Sequence, residues 1–300
     1  MAPTIRDVAQ RARVSEATVS RALRGLRHVA PETAAEVRRA AEELGFTPSR
    51  SAAALATGRQ RSVSVVLPSV LGWFYADVLE GVDGALRERG YTVSLLDLHG
   101  ASGERMRLTQ RLLQEGHADA HVVIGFDLDA DERRVVRAAT SPVVTVGGTV
   151  SGVRGVGVNE TAAARLALDH LIALGHRRIA HLGADREQGV NPQVTRGRRQ
   201  AWLSALDAIT VTPHPSWFAS GGFRLGTSRD AAERMLALAV RPTAVFAASD
   251  EMAFGVLLAA GQGGLQVPED LSVVGIDDHP YSSAYGLTTC LLYTSDAADE

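Results

Sequence analysis

The chain has 300 residues, of which 45% are hydrophobic and 22% charged, as is ordinary for a soluble globular protein. This length accommodates two or three folded units with cores of their own. No apolar run follows Met1, and no apolar stretch is long enough to span a bilayer, which argues against secretion or membrane insertion. The single cysteine, Cys290, cannot form an intrachain disulfide, which fits a reducing cytoplasm.

The charge is distributed unevenly. All 31 basic residues are arginines, and the lack of lysine excludes a phosphate-loop lysine, a Schiff base and a lysine general base. Residues 1–61 hold 11 arginines against 6 acidic residues, a net charge of +5, whereas the remainder holds 20 against 28, a net of −8. The N-terminal region therefore has the charge expected of a segment that contacts a polyanion.

The first 46 residues are predicted to be helical. Thr4 and Ser15 are residue types that cap helix starts, while Pro31 and Gly45 bracket a third helix. The three predicted helices cover residues 5–12, 15–23 and 32–44. Residues 49–59 are small and polar without a core-facing stripe, which is typical of a linker that becomes helical only when a partner orders it.

From Ser62 onwards, short apolar runs rich in Val and Ile alternate with amphipathic segments. Continuous apolar strands separated by helices predict parallel sheets covered on both faces. About 230 residues of this pattern suit two doubly wound lobes with a ligand at the carboxyl ends of the strands. The strands are predicted at 63–67, 91–96, 120–125, 142–146, 178–182, 243–247 and 272–276, and helix-ending glycines at Gly90, Gly116 and Gly175.

The first two helices have the pattern of a helix-turn-helix. Their apolar side chains can share one core, and the second helix then presents short hydroxyls and an arginine outward, which suits phosphate and base-edge contacts in a major groove. The alternative on pattern alone is a solvated amphipathic helix pair. The predicted core comprises Val8, Ala9, Ala12, Val14, Val19, Ala22 and Leu23, and the outward residues are Ser15, Glu16, Ala17, Thr18, Ser20 and Arg21.

A sequence resemblance favours DNA binding. The run from Thr4 to Gly25, with its Ala-Thr-Val-Ser-Arg-Ala-Leu-Arg-Gly ending, resembles the N-terminal signature of the LacI/GalR (lactose-repressor) family, and the match continues through Glu43-Leu44-Gly45-Phe46-Thr47-Pro48. The resemblance implies that Glu16 and Ala17 set base preference on a recognition helix. Arg13 departs from the family, which usually has glycine in this turn. The implied DNA-binding residues are Thr4, Ser15, Glu16, Ala17, Thr18, Ser20, Arg21, His28, Ala52 and Leu55.

The resemblance also implies a function for the linker. Residues 49–57 would form a hinge helix on operator binding, and Leu55 would wedge into the minor groove. Such a wedge unstacks a base step and bends the DNA onto more protein surface. The alternative is that Leu55 is an ordinary packing residue between domains.

Residues 62–289 resemble the two-lobed, periplasmic-binding-protein-like effector domain of the same family, for example in Leu168–Ala180, Arg241–Ala253 and Val267–Asp278. The resemblance implies that Phe74 stacks on a sugar ring, Arg198 donates to hydroxyls or a carboxylate, and Asp277 accepts from vicinal hydroxyls. Ser249 replaces the usual Asn, and Gly147-Gly148 replace a charged side chain, so no particular sugar specificity transfers. The implied ligand set is Ser69, Phe74, Arg198, Ser249 and Asp277.

Each ligand residue has a structural alternative: Phe74 as core, Arg198 in a surface ion pair, and Asp277 as a strand-end turn residue. Other classes of site have less support. Asp127, Asp129 and Asp131 imitate a calcium loop, but Glu132 and Ala138 replace its glycine and bidentate glutamate. His117 and His121 would not share a helix face. No Gly-x-Ser-x-Gly elbow occurs, and the glycines at 152, 155 and 157 do not form a dinucleotide fingerprint.

The sequence therefore predicts an all-α helix-turn-helix head followed by an α/β, two-lobed, doubly wound effector domain. We expect a cytoplasmic, nucleoid-associated homodimer that binds double-stranded operator DNA and a sugar or sugar-phosphate effector, without cofactor, metal or membrane. Alternatives are a sugar-binding protein without DNA binding and an enzyme on the same fold, for which no catalytic dyad is found. The predicted boundaries are 1–48 (head), 49–60 (hinge), 61–158 and 159–289 (lobes), and 290–300 (tail).

The tail carries one further expectation. From Cys290 the sequence matches no family pattern, holds the only cysteine and lacks arginine, so residues 290–300 are expected to be non-native read-through in a truncated gene model. A missing strand and its covering helices would leave an unpaired sheet edge and exposed apolar faces, making the chain prone to aggregation. The alternative is a genuine short C-terminus.

Overall fold

The computed structural model describes residues 3–26, 28–47, 54, 57–98, 107, 110, 118–125, 128–185 and 192–291. The chain divides into two compact units, Met1–Arg61 and Ser62–Glu300. No helix in the described ranges is both long enough and apolar enough to cross a membrane.

The first unit is a small three-helix bundle, with α1 Ile5–Arg11, α2 Glu16–Leu23 and α3 Pro31–Leu44. Thr4 caps α1 in a reciprocal box: the Asp7 amide donates to the Thr4 hydroxyl, and the Thr4 amide donates to the Asp7 carboxylate. Pro31 starts α3, where its missing N–H costs nothing, and Gly45 ends α3 at φ +64°. These predicted boundaries are confirmed. The buried core is Val8, Ala9, Ala12, Val19, Ala22, Val37, Ala40 and Ala41.

The turn between α1 and α2 depends on Arg13, which adopts the left-handed conformation at φ +52°. A side chain in this region meets its own backbone, which costs about 1 kcal/mol. We expect Arg13→Gly to stabilise the first unit by about 0.5 kcal/mol, since glycine relieves the strain but adds entropy to the unfolded chain. Amide hydrogen exchange across α1–α3 of the full chain measures this. Arg24→Gly is the control, because Arg24 ends α2 in a right-handed conformation; equal effects of the two changes would disprove the strain.

The second unit contains two parallel five-stranded sheets. The first lobe has β1 Ser62–Leu67, β2 Thr92–Asp97, β3 Ala120–Ile124, β4 Val143–Val146 and β5 Arg154–Val156, in the order β2-β1-β3-β4-β5. Its described helices include α4 Trp73–Glu88 and α5 Ala130–Arg137. Aromatic side chains at the start of α4 pack on the small core of Val65, Leu67 and Ile124.

The second lobe has the larger core. Its sheet order is β10-β9-β8-β6-β7, from β6 Ile179–Gly183, β7 Phe218–Ser220, β8 Ala244–Ala247, β9 Ser272–Ile276 and β10 Thr288–Cys290. The helices are α6 Glu160–Ala173, α7 Pro192–Ala208, α8 Leu225–Leu236 and α9 Asp250–Gln262. The middle strands β6 and β8 are fully buried, as expected for a parallel sheet between two helical layers.

The two-lobed fold class is confirmed. The seven predicted strands are also confirmed, with each end within one or two residues of the prediction. Gly90 and Gly175 take positive φ after their helices, as predicted, whereas Gly116 lies outside the described residues. The strands β5, β7 and β10 were not predicted. Cys290, where the non-native tail was expected to begin, is the last residue of β10 and pairs with Ile276 of β9; the tail assignment stays a prediction, and residues 292–300 lie outside the described ranges.

Candidate nucleic-acid interface and effector site

The outer face of α2 presents the residues singled out for base contact. Glu16, Ala17 and Arg21 are all exposed, while Val19 and Ala22 on the opposite face are buried in the head core. The Arg21 Nε donates to the Ala17 carbonyl one turn earlier at 3.2 Å. Glu16, Ala17 and Arg21 therefore place an acidic, an apolar and a cationic side chain on the exposed side of one helix.

Several of the predicted hydroxyl contacts also have a structural role. The Ser15 hydroxyl accepts from the Thr18 amide at 3.2 Å and shares a 2.9 Å hydrogen bond with the Thr18 hydroxyl. The Thr4 hydroxyl belongs to the α1 capping box. The Thr4 hydroxyl donates its only proton to the Asp7 carboxylate at 2.7 Å, so it has none left for a phosphate. Only one of Ser15 and Thr18 donates in their shared hydrogen bond, so the other hydroxyl keeps a proton that a phosphate could accept.

An ion pair restrains the side chain of Glu16, which was predicted to set base preference. The Arg6 Nε donates to the Glu16 carboxylate at 3.1 Å, from α1 to α2. Both groups are exposed, so the pair orders the side chain more than it stabilises the fold. Ser20 is half-buried and His28 exposed. Ala52 and Leu55, the predicted hinge contacts, lie outside the described residues.

In the second lobe a buried charge cluster lies at the carboxyl ends of the strands. Arg198 on α7 is only 4% exposed, and its Nε donates to a Glu160 oxygen at 2.8 Å, from which its Nη2 lies 2.7 Å in the same ion pair. Its Nη1 donates to the Ala248 carbonyl after β8 and lies 4.0 Å from Asp277 after β9. Arg198 and Asp277, predicted from separate motifs, therefore lie together, and Arg198 is in a buried ion pair rather than a surface one.

Asp277, at the end of β9, has an unusual backbone conformation and a raised pKa. Its φ is +125°, and its amide donates to the Cys290 carbonyl of β10 at 3.0 Å. Burial raises the pKa of Asp277 to about 7, although the Arg198 guanidinium opposes the rise. Near neutral pH this carboxyl can therefore accept hydrogen bonds when ionised and donate one when protonated, which suits a ligand rich in hydroxyls.

A second buried carboxylate, Asp250, holds the loop that follows Asp277. Its oxygens accept from the His279 amide at 2.8 Å, the Ser282 hydroxyl at 2.7 Å and the Thr289 hydroxyl at 2.7 Å. A Cβ on Gly275 would stand 2.0 Å from the Asp250 carboxylate, so only glycine leaves room for it. Neither Asp250 nor Glu160 was predicted as a site residue, because their partners lie 29 to 39 residues away in the chain.

The remaining predicted ligand residues divide between the lobes. Ser249 is buried and caps α9, its hydroxyl accepting from the Met252 amide at 3.3 Å; it directly follows Ala248, which Arg198 contacts. Ser69 follows β1 and accepts from the Leu71 amide. Phe74 is half-buried on the first-lobe core, with its Cζ 4.0 Å from where a Cβ on Gly147 would lie.

The two lobes are in contact on both sides of the cleft. On one side the Trp73 and His279 rings lie 4.6 Å apart, and the Trp73 amide donates to the Glu251 carboxylate. On the other side, Thr149 and Gln193 exchange hydrogen bonds of 3.4 and 3.3 Å. These pairs could not be predicted from the sequence, because no local pattern indicates a contact between lobes.

The described carboxylates and histidines that were considered as metal ligands form hydrogen bonds within the fold instead. Asp129 caps α5, accepting from the Asp131 and Glu132 amides, and His121 shares a 3.0 Å hydrogen bond with the buried Ser64. Within the described ranges, no three His, Cys, Asp or Glu side chains are grouped as a metal site would need. Asp127 and His117 lie outside those ranges.

A helix-turn-helix bundle followed by two doubly wound lobes defines a class: DNA-binding transcriptional regulators with a ligand-binding domain. The model "Bacterial regulatory proteins, lacI family" matches residues 4–49, and "Periplasmic binding protein-like domain" matches residues 168–291. The chain belongs to the LacI family, which confirms the resemblance noted in the sequence.

Individual relatives agree with the family models. The HTH-type transcriptional regulator GntR of Pseudomonas aeruginosa is 34% identical over 285 residues, covering 93% of this chain and 81% of GntR. The lac repressor dimer bound to operator and the anti-inducer ONPF has a TM-score of 0.85 at 27% identity, covering 96% and 87% of the two chains. The CelR–cellobiose complex has a TM-score of 0.62 at 31% identity, covering 92% and 83%.

Proposed function

We propose that this protein is a repressor of carbohydrate-metabolism genes that binds operator DNA as a homodimer and responds to a sugar-like effector. The observation that carries the effector assignment is the buried Arg198–Asp277 pair at the carboxyl ends of β8 and β9, where parallel sheets place their ligands. Cellobiose in the CelR complex, and the lac repressor dimer on its operator, support a saccharide ligand and a dimer.

The proposed mechanism is thermodynamic linkage between two sites. An effector that binds the two lobes better in one arrangement changes the affinity of the α2 surface for operator, and operator changes effector affinity by the same factor. Contacts between the lobes, such as Trp73 with His279, would change if the lobes moved and so could transmit this preference. We propose no enzymatic reaction or cofactor, and a location in the cytoplasm with the chromosome.

Operator binding is tested on α2. We expect the full chain to protect an inverted repeat and Arg21→Ala to weaken binding by about ten-fold, because an arginine–base or arginine–phosphate contact contributes about 1–3 kcal/mol. Glu16→Gln should change the preferred base at one position of each half-site. Binding should fall steeply with salt, since arginine–phosphate contacts release counterions.

Footprinting and salt titration of the wild type and the two variants measure these effects. The control is Arg39→Gln on α3, whose side chain pairs with Glu36 at 2.7 Å and which was assigned no DNA contact. Protection of one asymmetric half-site, salt-insensitive binding, or equal losses in Arg21→Ala and Arg39→Gln would contradict the proposal.

A further inference from the structure

The turn that ends α1 holds Arg13 in a conformation that favours glycine. The Arg13 amide donates to the Gln10 carbonyl at 3.3 Å, and the next amide, that of Val14, donates to the Ala9 carbonyl at 3.0 Å. This pair of hydrogen bonds requires a left-handed residue after the helix, and Arg13 has φ +52°. Val14 then packs on the head core, so the turn sets the path of the chain from α1 to α2.

The other two helices of the head end in the same kind of turn, but with glycine. Gly25 after α2 and Gly45 after α3 have φ +67° and +64°, and the amide that follows each donates to a carbonyl of the last helical turn. Glycine adopts this conformation without strain, whereas an arginine does not. The fold of the head therefore gives no reason for an arginine at position 13, and residues held in strained conformations cluster at functional sites.

The charge of Arg13 is not neutralised within the head. Three other head arginines, on α1 and α3, form ion pairs with carboxylates. All six acidic residues of the first unit lie in the described ranges, and none of them is within ion-pair distance of Arg13. The Arg13 side chain is exposed, so its guanidinium is available to an anion outside the head.

The place of Arg13 between the two helices indicates which anion this is. Arg13 lies two residues before Ser15, which caps α2, and α2 carries the exposed Glu16, Ala17 and Arg21. When a helix-turn-helix binds DNA, its second helix lies in the major groove and its first helix crosses the sugar–phosphate backbone. The turn that joins them therefore lies where the chain passes from the backbone into the groove, beside the phosphates of the groove edge.

We propose that Arg13 contacts a DNA phosphate at the edge of the major groove, a contact that the predicted DNA-binding set does not include. This inference rests on the proposed binding of DNA by α2. A phosphate contact anchors the head on any sequence, in contrast to the base contacts expected of Glu16 and Ala17. Arg13 therefore lowers the stability of the head and raises its affinity for DNA.

The experiment is titration of two short DNA duplexes of unrelated sequence with the full chain, followed by fluorescence anisotropy between about 50 and 200 mM salt. One arginine–phosphate contact contributes about 0.9 to the slope of log K against log salt concentration. We expect Arg13→Gln and Arg13→Gly each to reduce the slope by about 0.9 per bound head. Both should weaken binding by the same factor on the two duplexes. Arg13→Lys keeps the charge and should retain the wild-type slope.

Two controls separate this contact from net charge and from stability. Arg39→Gln removes the same charge from the exposed side of α3, where Arg39 pairs with Glu36, and should leave the slope nearly unchanged. Amide hydrogen exchange in the head should show that Arg13→Gly is more stable than the wild type and that Arg13→Gln is not. Because both variants lose the DNA contact, a change in head stability cannot account for the weaker binding.

The outcomes distinguish this inference from the proposed function. The contact is disproved by an unchanged slope in Arg13→Gln, an equal reduction in Arg39→Gln, a reduced slope in Arg13→Lys, or a loss confined to one duplex. Each of these results leaves DNA binding by the wild type intact. If the wild type itself binds neither duplex, the proposed function fails and the inference fails with it.

Discussion

Replacing Arg198 with Met should destabilise the second unit by about 3–5 kcal/mol, the cost of leaving a buried charge without its partner. In the wild type the Arg198 guanidinium forms a hydrogen-bonded ion pair with Glu160 and also donates to the Ala248 carbonyl. Met fills a similar volume but provides no charge, so Glu160 and the Ala248 carbonyl would remain buried without this donor. Urea unfolding of the full chain, followed by tryptophan fluorescence from Trp202 and Trp217 in the second-lobe core, measures the loss.

Two further variants make the test specific. Glu160→Gln added to Arg198→Met removes the uncompensated carboxylate and should recover part of the stability, because the two changes are coupled. Arg165→Met removes an exposed α6 ion pair with Asp169 and should change stability by less than about 1 kcal/mol. Equal losses in Arg198→Met and Arg165→Met, or no recovery in the double variant, would show that the buried cluster does not stabilise the unit.

The same variants separate ligand binding from folding. Under conditions where Arg198→Met remains folded, operator binding should persist, because the α2 surface belongs to a different compact unit. The effector response should be lost, both in this variant and in the stabilised double variant. A double variant that regains stability and also the effector response would restrict Arg198 to a structural role.

Local chemistry explains which parts of the fold the sequence could predict. The caps Thr4 and Ser15, the helix-starting Pro31 and the helix-ending Gly45 each act within four residues, so their structures follow from nearby sequence. The central strands are continuous apolar runs because both faces are buried. The three missed strands, β5, β7 and β10, lie at sheet edges, have three residues each and lack such a run.

The candidate site residues also divide into those that the sequence could indicate and those that it could not. Phe74, Arg198 and Asp277 were found through motif resemblance, which marks positions but not partners. Glu160 follows the α6 cap Asn159 and so has the sequence signature of an ordinary acidic helix start. The contacts between the lobes, Trp73 with His279 and Thr149 with Gln193, form only when the two lobes meet, so no periodicity within either segment could indicate them.

Protonation of a histidine at the centre of the second lobe should destabilise that lobe. The His181 ring is 1% exposed and stacks on Phe246, with ring centres 4.9 Å apart, between Trp202 and Phe218. Its Nδ1 donates to the Phe246 carbonyl at 3.1 Å, which fixes the neutral form with the proton on Nδ1. Burial lowers the pKa of His181 from 6.5 to about 4, because an imidazolium there would lose its hydration.

The pH window follows from that shift. The folded pKa lies below the unfolded one, so the contribution to stability is complete above about pH 6.5 and is lost as pH falls towards 4. At pH 4.5 the loss is about 2.5 kcal/mol, from 1.36 kcal/mol per pKa unit. Asp277 acts in the opposite direction, because its pKa is raised to about 7 by burial and its protonation therefore adds stability as pH falls below 7. The contribution of His181 is therefore measured as a difference between the wild type and a variant, by urea unfolding at pH 7.5 and 4.5.

His181→Phe isolates the contribution of this one ring. Phe keeps the aromatic stack but leaves the Phe246 carbonyl without its donor, so the variant should be less stable at pH 7.5 by about 1–3 kcal/mol. Its additional loss on moving to pH 4.5 should be smaller than that of the wild type by about 2.5 kcal/mol, because no buried imidazole remains to oppose protonation. His170→Gln, at an exposed position on α6, should lose as much stability as the wild type over the same interval. If His181→Phe and the wild type lose stability equally between the two pH values, the buried ring is not what makes this lobe sensitive to acid.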